Sequence, residues 1–172
     1  EAGFQTLNGT PDQAAKALYA QERMQRRFAY FENICLPSLD AQTDGDFVLV
    51  AMTGETMPMR FRKRLSRLTE KHPYLRVCTL EAAGPINSTR RAFRRGLEGN
   101  EVDFITGFRL DDDDAVAVDY IERTRDIADN MIRLGWASNE VPVAICFHRG
   151  IYWDMKRDEE QFWSFSEQQP LG

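Results

Sequence analysis

The chain has 172 residues, 42% of them hydrophobic and 28% charged, the size and composition of one packed domain covering residues 1–172 rather than of a disordered or fibrous chain. A net charge of -5 and a pI near 5.1 set the average field against phosphate backbones, so nucleic acid is not an expected partner. No apolar run approaches the ~20 residues of a membrane-spanning helix, and the opening EAGFQTLNGTPD has neither the basic nor the apolar region of a signal peptide. The expected location is the cytoplasm, with peripheral association at the inner membrane left open.

Residues 11–43 read as helix: Pro11 and Asp12 suit a start, and Leu18, Met24, Phe28, Phe31, Ile34 and Cys35 recur at helical spacing. Pro37 should kink or split it. Residues 47–52 form an apolar run that reads as a buried strand, and Thr53-Gly54-Glu55 turns it into a helix over 58–71 with Phe61, Leu65 and Leu68 on one face. A strand over 74–80, a helix over 88–98 and a strand over 102–110 follow. The pattern then gives a helix over 117–134 closed by Gly135, a strand over 141–147, and a hairpin partner from residue 150; residues 154–172 resist assignment. Helices and strands that alternate with short connections predict an α/β fold, a mainly parallel sheet with helices on both faces. The first element is a helix where such sheets ordinarily open with a strand, and the chain stops in mid-pattern, so both ends are expected to be cut back from a longer enzyme. Cys35, Cys78 and Cys146, each in an apolar stretch, are expected to be buried thiols and not disulfides or zinc ligands.

The chemistry concentrates in Asp111-Asp112-Asp113-Asp114. Four adjacent carboxylates at the end of an apolar strand repel one another, and a cation is the natural compensation. Magnesium or manganese fits best, because both take oxygen ligands and complete their shells with water and phosphate. In an extended chain Asp111 and Asp113 would share one side and Asp112 and Asp114 the other. The position, at the carboxyl end of a strand, is where parallel α/β sheets bind ligands. The competing reading is an acidic turn capping the helix that follows, for which one aspartate would suffice.

The chain resembles the rhamnosyltransferase family, a bacterial group related to the inverting, family-2-like glycosyltransferases of the GT-A, nucleotide-diphospho-sugar transferase-like fold. The resemblance covers residues 3–125 and rests on three stretches. These are Leu18-Tyr19 with Arg23 to Phe31 and Leu36-Pro37-Ser38-Leu39; then Ala41-Gln42-Thr43-Asp44 with Asp46-Phe47; and finally Arg109-Leu110 with the aspartate run and Ala115. It implies transfer of a sugar, rhamnose by the family label, from a nucleotide-diphosphate donor to a hydroxyl of a carbohydrate or other acceptor. It also implies a divalent ion, Mg²⁺ or Mn²⁺, held by Asp113 with Asp111 near the nucleoside, and Asp112 and Asp114 as the substitute pair. Glu55 stands where the wider family has paired aspartates, and His148, after a strand, stands where such enzymes often place a further metal ligand.

Other residues carry weaker signals. Arg91 and Arg94, in the set Arg90, Arg91, Arg94 and Arg95, make a basic ridge able to meet a diphosphate, against the plainer reading of a solvated helix face. Arg60, Arg62, Lys63, Arg64 and Arg67 call for the same comparison. The catalytic base is not singled out by spacing; Asp154 is the candidate, with Glu159 and Glu160 beside it. Trp153, Phe162, Trp163 and Phe165 can stack on a sugar or fill a core. Two other classes compete with the transferase: a phosphate-handling hydrolase, whose motif would need its nucleophilic aspartate early in the domain, and a non-catalytic metal- or carbohydrate-binding module.

Overall fold

In the computed structural model, which describes residues 16–81, 85–99 and 101–166, the first long element is α1 (Gln21–Tyr30), followed by a π-helical turn (Phe31–Cys35) and α2 (Leu36–Asp40). Pro11 and Asp12, read as the start of this helix, lie outside the described residues. Pro37 explains the π turn. A proline has no N–H for the carbonyl four residues back and its ring collides with that carbonyl; here Leu36 donates to Phe31, five residues back, and Pro37 falls in the first turn of α2. The extra residue also rotates the apolar stripe. Met24, Phe28 and Phe31 give way to adjacent Cys35 and Leu36, both among the most deeply buried side chains, and then to Leu39.

A parallel pair forms the centre of the first unit. β1 (Leu49–Gly54) and β2 (Leu75–Leu80) pair in register from Leu49↔Leu75 to Gly54↔Leu80, joined by α3 (Met59–Lys71). The sequence places β1 two residues too early, because Phe47 and Val48 are apolar but precede the ladder. Phe47 instead packs on Tyr74, ring centroids 4.7 Å apart. Phe61, Leu65 and Leu68 of α3 are buried with Met24, Phe28 and Leu75 in one core, joined by half-buried Leu49 and Ala51; each fully buried side chain of this size contributes roughly 1.5–3 kcal/mol. The opposite face meets α4 (Pro85–Gly96). Gly96 permits that approach: a Cβ there would sit 2.6 Å from Val50 Cγ2, and Arg76 of β2 donates to the Gly96 carbonyl. Helices therefore lie on both faces of a parallel sheet, which has two strands among the described residues.

The apolar runs 102–110 and 141–147 are not strands. A strand exists only as part of a ladder, and among the described residues neither run is paired in one; Phe104, Ile105, Val141 and Val143 stay about half exposed. The end of the first run is held by Leu110 against the core and Phe108 edge-on to Tyr120 at 4.9 Å. Cys146 is exposed, against the expectation of a buried thiol, for the same reason; Cys35 and Cys78 are buried.

The chain divides into two units, Glu1–Arg125 and Asp126–Gly172. α5 (Tyr120–Arg133) crosses from one to the other. It ends as its Gly135 implies: φ is 72° there, Trp136 donates to the Met131 carbonyl and Gly135 to that of Ile132, closing the helix with a left-handed residue. The second unit's hairpin pairs β3 (Arg149–Trp153) with β4 (Phe162–Ser166), antiparallel. The partner of 149–153 is thus the unassigned tail and not residues 141–147. Cross-strand aromatics hold it, with Trp153 stacked on Phe162 at 5.6 Å and Tyr152 on Phe165 at 4.4 Å. Among the described residues no helix is long and apolar enough to cross a membrane.

Candidate functional site

The four aspartates form a tight turn. Asp114 N–H donates to the Asp111 carbonyl at 3.2 Å, so the alternating arrangement expected of an extended chain does not arise. The carboxylates divide differently. Asp111, Asp113 and Asp114 each bring an oxygen within 4.8 Å of the others, while Asp112 turns to Arg27, whose Nε donates to its Oδ2 at 2.6 Å. Arg109 Nε lies 3.8 Å from Asp111 Oδ1.

The segment that follows the turn is fixed by the end of the first helical segment. Ser38 Oγ donates to the Cys35 carbonyl at 2.8 Å and accepts from Val116 N–H at 3.3 Å. One helical turn on, Gln42 Nε2 donates to the carbonyls of Ser38 and Ala117, both at 2.8 Å, and Oε1 accepts from Ile121 N–H at 3.0 Å. That last bond satisfies a donor in the first turn of α5, the role of a helix cap. Thr43 N–H reaches the Val118 carbonyl at 2.9 Å, and its hydroxyl donates to Glu122 at 2.6 Å. Asp44 accepts from Arg125 Nε at 2.6 Å. The Ser38-to-Asp44 segment is thus bonded to the stretch from Val116 to Arg125 that follows the aspartate run, far away in sequence.

Crowding shows in the electrostatics. Burial, and then the charges of Asp113, Asp111 and Asp112, raise the Asp114 carboxyl above the usual carboxylate range. Cys35, beneath the turn, is pushed up to about 11 by burial and by Asp112, Asp114 and Asp113, which keeps it a thiol. Burial works to lower Arg27, but its hydrogen bond to Asp112 and the charges of Asp112, Asp113 and Asp111 outweigh that and raise it. Three converging carboxylates form a hard, all-oxygen donor set that fits Mg²⁺ or Mn²⁺, with remaining positions open to water or phosphate.

The other candidates divide between the two units. Arg91 and Arg94 lie exposed on α4, and Glu55 is exposed beyond the end of β1; none makes a hydrogen bond or ion pair with the aspartate turn among the described residues. The basic face of α3 is structural in part: Arg62 donates to the carbonyls of Met57 and Glu55, and Arg64 pairs with Glu32 at 2.6 Å above the Phe28 ring. His148 is exposed immediately before β3 in the second unit. Asp154 organises the hairpin loop: Oδ1 accepts from Lys156 N–H at 3.0 Å and Arg157 pairs with it at 3.6 Å. Glu160 turns that loop with φ 49°. Arg27, Ser38 and Gln42 were not legible as site residues, although all three fall in stretches that carry the family resemblance.

A family model described as "Putative rhamnosyl transferase" matches residues 1–172. Neither the curated proteins nor the solved structures contain a significant match. With a match over the whole chain, the protein belongs to this rhamnosyl transferase family of glycosyltransferases.

Proposed function

We propose that the chain binds a nucleotide-diphosphate sugar through a divalent ion, Mg²⁺ or Mn²⁺, held by Asp111, Asp113 and Asp114, and serves its transfer to an acceptor hydroxyl. The observation that carries this reading is the convergence of three of four consecutive carboxylates to within 4.8 Å, in a chain whose family transfers sugars. Such a site, once loaded, supplies electrophilic stabilisation of the departing diphosphate. The chain's own part is to hold the ligands together against their repulsion, with the segment that follows them, Val116 to Ile121, tied down by Ser38 and Gln42. Glu55, Arg91 and Arg94, all exposed in the same unit, are the further donor-side candidates. The proton-accepting base is not assigned to Asp154, because its carboxylate is engaged by the hairpin loop. Family membership favours transfer over the hydrolase and ion-binding alternatives.

Calorimetric titration with a panel of nucleoside diphosphates, with and without manganese, tests the reading. Manganese-dependent binding of one base over the others is the expected result. Binding that ignores manganese, or no binding, would overturn it.

A further inference from the structure

We propose that Arg27 is a positioning residue for the metal site, one that withdraws Asp112 from the ligand set so that Asp111, Asp113 and Asp114 converge. The inference rests on the metal reading above and adds a division of labour within the aspartate run.

Four consecutive aspartates in a turn can present several triads. One triad converges here, and the excluded carboxylate is the one hydrogen-bonded to an arginine at 2.6 Å, whereas Arg109 stands 3.8 Å from Asp111. The Arg27–Asp112 pair is short, 2.6 Å, and half-buried, with side chains 43% and 26% exposed. It is therefore less screened than a surface pair, and a charge-assisted bond at that distance fixes orientation as well as charge. Its helical side is anchored: Met24, Phe28 and Phe31, on either side of Arg27 in sequence, are buried in the core. Downstream, Ser38 and Gln42 grip Val116, Ala117 and Ile121. With the following loop clamped, the orientation of the turn itself depends on the Asp112 anchor. A partner that orients ligands without binding the metal commonly matters about 10–100-fold in metal affinity.

The alternative role for Arg27 is charge compensation alone, and the two roles differ in sign. Arg27→Met removes a positive charge and Asp112→Ala a negative one, but both remove the anchor. Manganese alone, followed by electron paramagnetic resonance of the free ion, is the probe, and urea midpoints report folding. Positioning requires both single variants to bind Mn²⁺ about tenfold more weakly or worse, with Arg27→Lys recovering part of the loss. The double variant Arg27→Met/Asp112→Ala leaves no unpaired charge and keeps the net charge, so it remains decisive if a single variant fails to fold. Its affinity should match the weakened singles. Charge compensation instead makes Arg27→Met bind more tightly and returns the double variant to the wild-type value, and either result would overturn the inference while leaving the metal site standing. Absence of Mn²⁺ binding in the unaltered chain would remove the metal reading and this inference together.

Discussion

Gln42→Ala removes three hydrogen bonds at once: the two donations from Nε2 to the Ser38 and Ala117 carbonyls and the acceptance by Oε1 from Ile121 N–H. A neutral hydrogen bond contributes about 0.5–1.5 kcal/mol net, and a partly exposed one sits at the low end because water replaces it. The Ile121 bond also acts as a cap for α5, worth about 1 kcal/mol in comparable positions. Together the loss should be about 2 kcal/mol, a fall in Tm of roughly 4–8 °C for a chain of this size. Urea denaturation of the two proteins measures it as a change in midpoint at constant slope. Gln42→Glu keeps an acceptor for Ile121 N–H and places a negative charge at a helix N-terminus, so it should cost about half as much. A Gln42→Ala variant within about 0.5 kcal/mol of the unaltered chain, or a Glu variant less stable than the Ala variant, would refute the clasp.

Asp114 has a raised carboxyl pKa in the folded chain, so its contribution to stability is present in acid and is lost as pH rises through that value; above it the ionised group repels its neighbours. Asp114→Asn should therefore raise the metal-free Tm at neutral pH by about 1 °C, as befits a largely exposed group, while a scan of Mn²⁺ affinity against pH should show protons competing at higher pH than an ordinary aspartate allows. A lowered Tm would count against the crowding. Gly96→Ala places a methyl 2.6 Å from Val50 Cγ2 and should destabilise by about 1–3 kcal/mol in urea; no loss would mean that α4 does not seat as closely as described.

Local periodicity carried much of the first unit. Phe61, Leu65 and Leu68 share one face of α3 at helical spacing, and that face is buried; the apolar runs at 47–52 and 74–80 yield strands over 49–54 and 75–80 because each is the other's partner. The same composition at 102–110 and 141–147 misled, because a ladder needs a second strand and nothing local in the sequence provides it. Gly135 was legible because positive φ is a property of one residue. The acidic cluster was found from charge alone, but its geometry was not. The segment that follows it is held by bonds from Ser38 and Gln42 that span 75–79 positions, and the cluster's division into three and one depends on Arg27, 85 positions from Asp112. A reading of α1 that followed only apolar residues passes over Arg27; the available signal was a basic helix face opposite an uncompensated run of four acids.

The most direct measurement is Mn²⁺ binding, by paramagnetic resonance of the free ion, to the unaltered chain and to Asp111→Asn, Asp113→Asn and Asp114→Asn. One ion bound per chain is expected, with each substitution weakening it on the order of tenfold or more and leaving the urea midpoint nearly unchanged. Manganese that does not bind, or binds equally to all four proteins, would contradict the account.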